Sequence, residues 1–453
     1  MTTQPPIRTE APWPSGPVSR GVLNGLLKEG TLTEIMLAVP DMQGRLQGKI
    51  FNARVFLDRM TDGAEMCSYV LATDIDMTPL DGFDLTSWKQ GYGDFVVRPD
   101  LDTARMLPHR PGTALVIGTP LQDGTPVPVA PRHMLQTQLD RLRELGHLVK
   151  VGVEAEFVLY TDTPSGRIPA WGENLDYGLQ HAPLVTDFFR HLSDALSDAG
   201  IVHEAIKTEG AAGQAEVTFA YRDALGACDD YATFRHLVHD IAARHGMLPA
   251  FMAAPETGVG SGLHLHLSLW SENEDPEFAH DQGQTLPPLM ERAIAGLLSA
   301  LPHLAPLYAP VVNSYKRYQP RSFAPVRYNW GIDHRGCAVR VTGHGDSARL
   351  EARLAGADAN AYLALTAYLA AIGYGIEVDL PVRPACDGDA YQDRYAMPFY
   401  SDLDEALQHF AHGILAESLL GKDVVRHYAA AAHAELSWHR RYVTDLERRR
   451  GMR

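Results

Sequence analysis

Acidic residues at alternating positions in two segments of the chain could bind metal ions. Glu154 and Glu156 lie in the apolar run 151–159, whose alternation predicts a strand with both carboxylates on one face, about 7 Å apart. Glu209 and Glu216 lie on either side of a bend rich in glycine and alanine, the second of them in another predicted strand. Carboxylates that share a face repel each other unless a cation separates them. The pattern therefore indicates either a metal site or the solvated outer face of an edge strand.

Two histidines alternate with leucines in residues 260–270, a segment that begins Gly-Ser-Gly. The alternation predicts a strand on which His264, His266, Ser268 and Trp270 share the polar face. A single histidine in a strand is commonly structural. A pair on one polar face fits structural histidines and metal ligands about equally well.

Arginines surround a further glutamate near residue 350. Arg349, Glu351 and Arg353 share one face of a predicted strand, and Arg335 and Arg340 precede it. Taken alone, this segment fits a surface ladder of ion pairs, which contributes little to stability.

The four segments together predict one composite site for phosphoryl transfer. Carboxylates and imidazoles bind divalent cations, and arginines bind phosphate and carboxylate oxygens through paired hydrogen bonds. Metal ions and arginines around a phosphate are the groups that phosphoryl transfer requires. The chain contains neither a Walker loop (GxxxxGK[ST]) nor a dinucleotide-binding fingerprint, so other groups must hold a nucleotide.

The elements that position these residues predict an α+β protein with two domains. Residues 1–20, rich in proline, are predicted to be a flexible extension, and residues 21–127 a small β-rich domain with one or two short helices. Residues 128–453 form the predicted catalytic domain, with a large, mostly antiparallel sheet and a mainly helical end after residue 380. Within it, one helix is predicted to begin at Pro131 and another at a cap formed by Asp229 and Asp230.

Composition excludes several classes of partner. The net charge of the 453-residue chain is −16, which argues against a nucleic-acid or anionic-membrane partner because phosphate binding needs a basic surface. The first 20 residues contain no apolar segment typical of a secretory signal, and the apolar stretch 364–376 is too short to span a bilayer. Four scattered cysteines without a CxxC pair are typical of a protein of the reducing cytoplasm.

These motifs resemble the class I glutamine synthetase superfamily along nearly the whole chain. The matching segments are 152–157 (GVEAEF), 209–216 (EGAAGQAE), 260–268 (GSGLHLHLS), 313–317 (NSYKR) and 349–353 (RLEAR). The resemblance implies a small N-terminal β-grasp-like domain and a large catalytic domain with an antiparallel sheet. It also implies active sites between neighbouring subunits of stacked hexameric rings, and hence a dodecamer.

The resemblance further implies a role for each residue. Two or more Mg²⁺ or Mn²⁺ ions would be bound, the first by Glu156, Glu209 and Glu216 and the second, beside the phosphates of ATP, by Glu154, His264 and Glu351. Glutamate would contact Gly260, Arg317 and Arg353, and the transferring phosphoryl group Arg335 and Arg340. The nucleotide would contact His266, Ser268 and Trp270. ATP would convert glutamate to γ-glutamyl phosphate, which an amine then attacks.

Three departures from ammonia-using members concern the acceptor side. The loop that carries a serine pair in those enzymes reads LDGFD at residues 80–84, which leaves Asp81 as the candidate base. The flap carboxylate that closes over ammonium is replaced by Phe323, and Val259 stands where asparagine is usual. The pattern resembles the branch that joins glutamate to ethanolamine or polyamines. Ordinary glutamine synthetase and a non-catalytic scaffold are the alternatives.

Overall fold

The computed structural model describes residues 16–164, 166–172, 174–283 and 285–452. Most of the predicted N-terminal extension lies outside these ranges, and the first helix begins at Arg20. The N-terminal part contains a mixed sheet and two helices, with bounds β1 Glu34–Pro40, β2 Leu46–Asn52, β3 Ala64–Cys67, β4 Asp94–Met106, β5 Thr113–Gln122, β6 Thr125–Pro126, α1 Arg20–Lys28 and α2 Ala53–Arg59. The strand order is β2-β1-β5-β4-β3, with β6 beside β5. Only the β1–β5 pairing is parallel in this described sheet.

The remainder of the chain builds a second, ten-stranded sheet. Its strands are β7 Leu148–Thr163, β8 Gly166–Pro169, β9 His203–Thr208, β10 Gln214–Phe219, β11 Arg222–Asp223, β12 Leu248–Ala250, β13 Leu263–Trp270, β14 Trp330–Ile332, β15 Val339–Thr342 and β16 Arg349–Ala352. The order is β14-β15-β16-β13-β7-β10-β9, with β8, β11 and β12 also paired to β7. Its described pairings are antiparallel apart from β14–β15, as the sequence predicts.

The same part of the described chain forms nine helices, of which the first three pack against strands of this sheet. They are α3 Pro131–Glu144, α4 Pro183–Asp198, α5 Ala224–Arg244, α6 Pro288–Ala300, α7 Ala361–Glu377, α8 Leu403–His412, α9 Ile414–Leu420, α10 Lys422–Arg441 and α11 Asp445–Gly451. The apolar stretch noted in the sequence lies within α7, which is buried along nearly its whole length. No helix among the described residues is long and apolar enough to cross a membrane.

The predicted cap of α5 is wrong. The helix begins at Ala224, and the side chain of its N-cap residue Asp223 accepts a hydrogen bond from the amide of Gly226 at 2.7 Å. Asp229 and Asp230 lie inside the helix and are buried. They pair instead with arginines, Asp229 with Arg132 at 2.9 Å, because a buried carboxylate needs a partner for its charge.

Candidate active site

The register of the ten-stranded sheet places the predicted functional residues directly opposite one another. Glu154 on β7 lies opposite His264 on β13, and Glu156 lies opposite Glu216 on β10. On the other side of β13, His266 lies opposite Glu351 on β16. Residues opposite each other in an antiparallel pair project from the same face, so these six strand positions form one continuous polar patch.

Carboxylates and imidazoles approach each other closely within this patch. Nδ1 of His264 lies 3.0 Å from Oε1 of Glu154 and 3.7 Å from Oε1 of Glu351. Nε2 of His266 lies 3.3 Å from Oε2 of Glu154. Two triples, Glu154–Glu156–His264 and Glu154–His266–Glu351, each offer ligand atoms within 4.8 Å of one another. We call Glu154, Glu156, His264, His266 and Glu351 the carboxylate cluster. Their oxygen and nitrogen atoms are suitable ligands for divalent cations.

The electrostatics of the carboxylate cluster favour a bound cation. Burial alone would raise the pKa of Glu154, but its hydrogen bonds and electrostatic interactions with His264 and His266 lower it. Burial likewise opposes ionisation of Glu351, and Arg353 followed by the histidines lowers its pKa to about 2. In contrast, burial and the negative charge of Glu154 raise the pKa of Glu216. A cation beside Glu216 would keep this carboxylate ionised.

Glu209 is placed differently from the other predicted ligands, because a lysine lies beside it. The ammonium of Lys207, on β9, bonds to Oε1 of Glu209 and lies 3.9 Å from Oε1 of Glu216. Lys207 is opposite Glu216 in the sheet. Neither Glu209 nor Glu216 belongs to the two triples named above. The sequence analysis missed Lys207, although its position two residues before Glu209 was visible.

Three of the four predicted substrate and phosphate arginines lie against the cluster. Arg353 bonds to Oε1 of Glu351, and Nη1 of Arg340 donates to Oε2 of the same carboxylate at 2.9 Å. Arg317 is 4% exposed, and its Nη2 lies 3.4 Å from Nε2 of His264. Arg335 is exposed on the loop before β15, and across the described ranges it makes no hydrogen bond to the cluster.

The Gly-Ser-Gly segment before β13 leaves room for this arrangement. A Cβ atom at residue 262 would lie 2.7 Å from both Nη2 of Arg317 and Nε2 of His264. The amide of Gly262 also donates to Oε2 of Glu156 at 2.8 Å. Gly260 contributes its carbonyl, which accepts from Gln214 at 2.9 Å. Gly262 and Gln214 are site residues that the sequence analysis did not single out, although both lie inside the matching motifs.

The predicted nucleotide residues continue along β13 to the edge of the patch. The indole of Trp270 donates to Oγ of Ser268 at 2.8 Å, and the ammonium of Lys150 lies 3.8 Å from its ring centroid. Tyr221 stacks on Trp270 with centroids 6.2 Å apart. Because Trp270 is covered by its neighbours and Tyr221 is exposed, Tyr221 presents the open aromatic ring at this edge. The sequence analysis did not predict it.

The two acceptor-side residues are not brought to the cluster within the described chain. Phe323 is 68% exposed on an irregular segment with a backbone φ of 61°. Asp81 is exposed, and its Oδ1 accepts from the amide of Gly82 at 3.1 Å. Next to it, Phe83 is buried against His427, with ring centroids 4.5 Å apart. Both residues lie on loops, so sheet register does not determine their position.

Comparison with known proteins identifies the family. Residues 128–451 match the glutamine synthetase catalytic domain. The chain therefore belongs to the glutamine synthetase family, and it is a ligase. Membership implies the use of ATP and a divalent metal, for which the carboxylate cluster offers suitable donors. The family and the α+β fold predicted from the sequence are confirmed.

Individual relatives are glutamate–amine ligases. The chain is 42% identical over 439 residues to the γ-glutamylethanolamide synthetase GlnA4 of Streptomyces coelicolor, with 94% of each chain covered. It is 30% identical to the glutamate–isopropylamine ligase of a Pseudomonas species, covering 93% of this chain and 95% of that one. A solved GmaS/ADP complex superposes with a TM-score of 0.84 at 28% identity and covers 95% of this chain and 99% of its own.

Proposed function

We propose that this protein joins the γ-carboxyl group of glutamate to a primary amine at the expense of ATP, with ethanolamine as the first candidate acceptor. The observation that carries the proposal is the carboxylate cluster with Arg317, Arg340 and Arg353 around it. These side chains lie on or beside one face of the sheet, where they would bind metal ions, phosphate and a carboxylate substrate. The similarity to a γ-glutamylethanolamide synthetase supports the choice of acceptor.

The metal ligands divide into two groups under this proposal. Glu154, His264 and Glu351 would hold one Mg²⁺ or Mn²⁺ near the phosphates, and Glu156 and Glu216, facing each other across β7 and β10, would hold a second. Glu209 completes the second group only if the ammonium of Lys207 moves away from it. The ions would neutralise phosphate charge and so favour attack by the γ-carboxylate of glutamate.

The arginines would orient the substrates through charge. Arg317 is buried beside His264, where its guanidinium can pair with the α-carboxylate of glutamate. Arg340, together with the exposed Arg335, would stabilise the transferring phosphoryl group, and Arg353 would face glutamate. In the first step an oxygen of the γ-carboxylate bonds to the γ-phosphorus of ATP and ADP leaves. In the second, the amine nitrogen bonds to the acyl carbon, phosphate leaves, and a base takes the proton of the amine.

The acceptor preference follows from Phe323. An ammonium site must replace the water around a small cation with close negative groups, and at this flap position the chain offers an aromatic ring instead of a carboxylate. An alkylamine gains about 0.8 kcal/mol for each methylene that it buries, and an aromatic ring favours such burial. Phe323 is therefore expected to favour an amine that carries carbon over ammonium.

The remaining acceptor group would come from a second subunit. Asp81 lies on an exposed loop without a contact to the carboxylate cluster in the described chain. We propose that the domain of residues 21–127 presents this loop to the cluster of the neighbouring subunit in a ring, within a dodecamer. Asp81 would then take the proton of the acceptor amine at the catalytic domain of residues 128–453.

The test is a comparison of acceptors with glutamate and ATP saturating. Release of ADP is measured with ammonium, methylamine, ethanolamine, isopropylamine, putrescine and spermidine, and products are identified by mass. We expect ethanolamine or another primary alkylamine to give the highest kcat/KM. If ammonium gives the highest value, the protein is an ordinary glutamine synthetase. If no acceptor stimulates ADP release, the proposed reaction with these amines is refuted.

A matched pair of variants tests the role of the flap. Phe323→Glu restores a carboxylate and is expected to raise kcat/KM for ammonium relative to ethanolamine. Phe323→Ala removes the ring without adding a charge. It is expected to lower kcat/KM for ethanolamine and to leave that for ammonium unchanged. Equal effects of the two substitutions on both acceptors would contradict the role assigned to Phe323.

A further inference from the structure

A second group of metal-type ligands lies away from the catalytic sheet, where the two domains of the chain meet. The connection between β4 and β5 of the N-terminal sheet carries His109, and this connection packs against α5. On α5, His236 and Asp240 are four residues apart and so lie on the same face of the helix. None of the three residues belongs to the carboxylate cluster. We call them the interdomain triad.

The interdomain triad is compact. One ligand atom of each residue lies within 4.8 Å of the other two, and Nε2 of His109 is 2.9 Å from Oδ2 of Asp240. The rings of His109 and His236 have centroids 5.8 Å apart. In a tetrahedral site with bonds of about 2.0–2.1 Å, ligand atoms are separated by about 3.4 Å. Small side-chain rotations therefore suffice to bring the three onto one ion.

Each histidine of the triad has a buried ring nitrogen without a hydrogen bond. His109 is 3% exposed, and its Nδ1 has no hydrogen-bond partner among the described residues. Its Nε2 contacts Asp240 at 2.9 Å. Nε2 of His236 is also buried without a partner in the part of the chain that the structure describes. Buried polar atoms without a partner are uncommon, and a bound ion or water molecule is one way to satisfy them.

We propose that the interdomain triad binds one transition-metal cation of the zinc type in each chain and thereby ties the β4–β5 connection to α5. Two imidazoles and one carboxylate suit Zn²⁺, Co²⁺ or Ni²⁺ better than Mg²⁺, which prefers oxygen ligands. A water molecule would occupy the fourth position, since the side chain of Asp240 is 24% exposed and leaves a path to solvent. The ion would join the two domains of one subunit and would not take part in the reaction.

The residues around the interdomain triad affect how tightly it would bind a metal ion. A neutral His236 ring has a lone pair that a metal can use. Arg110, however, pairs with Asp240 through Nε at 2.9 Å and Nη2 at 3.3 Å, and its positive charge opposes the binding of a cation there. The side chain of Arg110 is 38% exposed and can turn to solvent. Arg244 donates to the backbone carbonyl of His109 at 2.6 Å, and this hydrogen bond does not involve the imidazole ring.

The experiment measures metal binding by the full-length protein. The protein is stripped with a chelator, and ADP with millimolar Mg²⁺ is added to fill the catalytic site. Co²⁺ is then titrated and followed by its visible absorption, and Zn²⁺ content is measured after desalting. The variants are His236→Ala, Asp240→Asn and Arg110→Gln. His239→Ala is the control, because His239 lies on the same helix but packs against Phe251, with centroids 5.9 Å apart.

We expect wild type and His239→Ala to retain one equivalent of Zn²⁺ per chain in excess Mg²⁺, and His236→Ala and Asp240→Asn to lose it. Arg110→Gln is expected to bind Co²⁺ several-fold more tightly, because it removes the competing charge. Zn²⁺ should also raise the unfolding temperature of wild type but not of His236→Ala. The proposal is overturned if wild type retains no Zn²⁺ or if His236→Ala retains as much as wild type. Because the readout is binding, the result is independent of which amine the enzyme uses.

Discussion

Replacing Gly262 with alanine should disable the active site while leaving the fold intact. The added Cβ would lie 2.7 Å from the guanidinium nitrogen of Arg317 and 2.7 Å from the imidazole nitrogen of His264. Ordinary contact requires about 3.5 Å, so each group must move by about 0.8 Å. A misplacement of about 1 Å can reduce the rate about 10²-fold, and we expect kcat/KM for glutamate to fall by about that factor.

The neighbouring glycine provides the control. A Cβ at Gly260 would meet only Cγ of Arg317, at 3.4 Å, which is close to ordinary contact. Gly260→Ala should therefore change kcat/KM only a few-fold. Overpacking at residue 262 costs about 1–3 kcal/mol of stability, and this loss is measured separately as a change in the unfolding temperature.

The assay is ADP release with glutamate, ATP and ethanolamine, each varied in turn. We expect kcat/KM to fall more for Gly262→Ala than for Gly260→Ala, with both variants folded at the assay temperature. Near-normal turnover by Gly262→Ala, or equal losses in the two variants, would refute the argument that this glycine makes room for Arg317 and His264.

Three further outcomes are expected. Glu156→Ala and Glu216→Ala should each abolish phosphate release at ordinary Mg²⁺ concentrations, because each removes a ligand oxygen that no neighbour replaces; near-normal release by a folded variant would contradict the metal assignment. Methionine sulfoximine, a mimic of the tetrahedral species formed by amine attack, should bind only with ATP present, and Arg317→Ala should weaken both this inhibitor and glutamate, as measured by inhibition constants. Burial lowers the pKa of His427 from 6.5 to about 3, so the folded state binds fewer protons than the unfolded state. The stability that depends on this histidine being neutral is complete above pH 6.5 and is lost as the pH falls towards 3. The unfolding temperature of His427→Phe should therefore drop less between pH 7 and pH 5 than that of wild type, and equal drops would contradict the buried, neutral histidine.

Sequence alternation was sufficient to predict the strands and the faces of the carboxylate cluster. The leucines of β13 are buried on the side opposite His264 and His266, as a period of two requires. Alternation does not specify which strands are neighbours. Lys207 was therefore missed, since its place beside Glu216 depends on the pairing of β9 with β10.

Contacts with distant segments determine the surroundings of two other positions. Asp229 and Asp230 resemble a helix cap in the sequence, but each meets an arginine from a distant segment, and the helix begins before them. Trp270 stays a predicted nucleotide residue, and its contacts with Lys150 and Tyr221 add two residues to its surroundings. In both cases the deciding partner is remote in sequence, and no local motif contains it.

The same leucines that predict β13 also fix the geometry of the site. Leu263, Leu265 and Leu267 are almost completely buried, and a slip of one residue would expose them and turn His264 and His266 into the apolar core. The cost of that exchange keeps His264 opposite Glu154 and His266 opposite Glu351. Each of the four motifs is weak alone because an exposed strand could carry it. The register argues against that alternative, since a surface ladder has no reason to gather two histidines and three glutamates into two groups whose ligand atoms lie within 4.8 Å of one another.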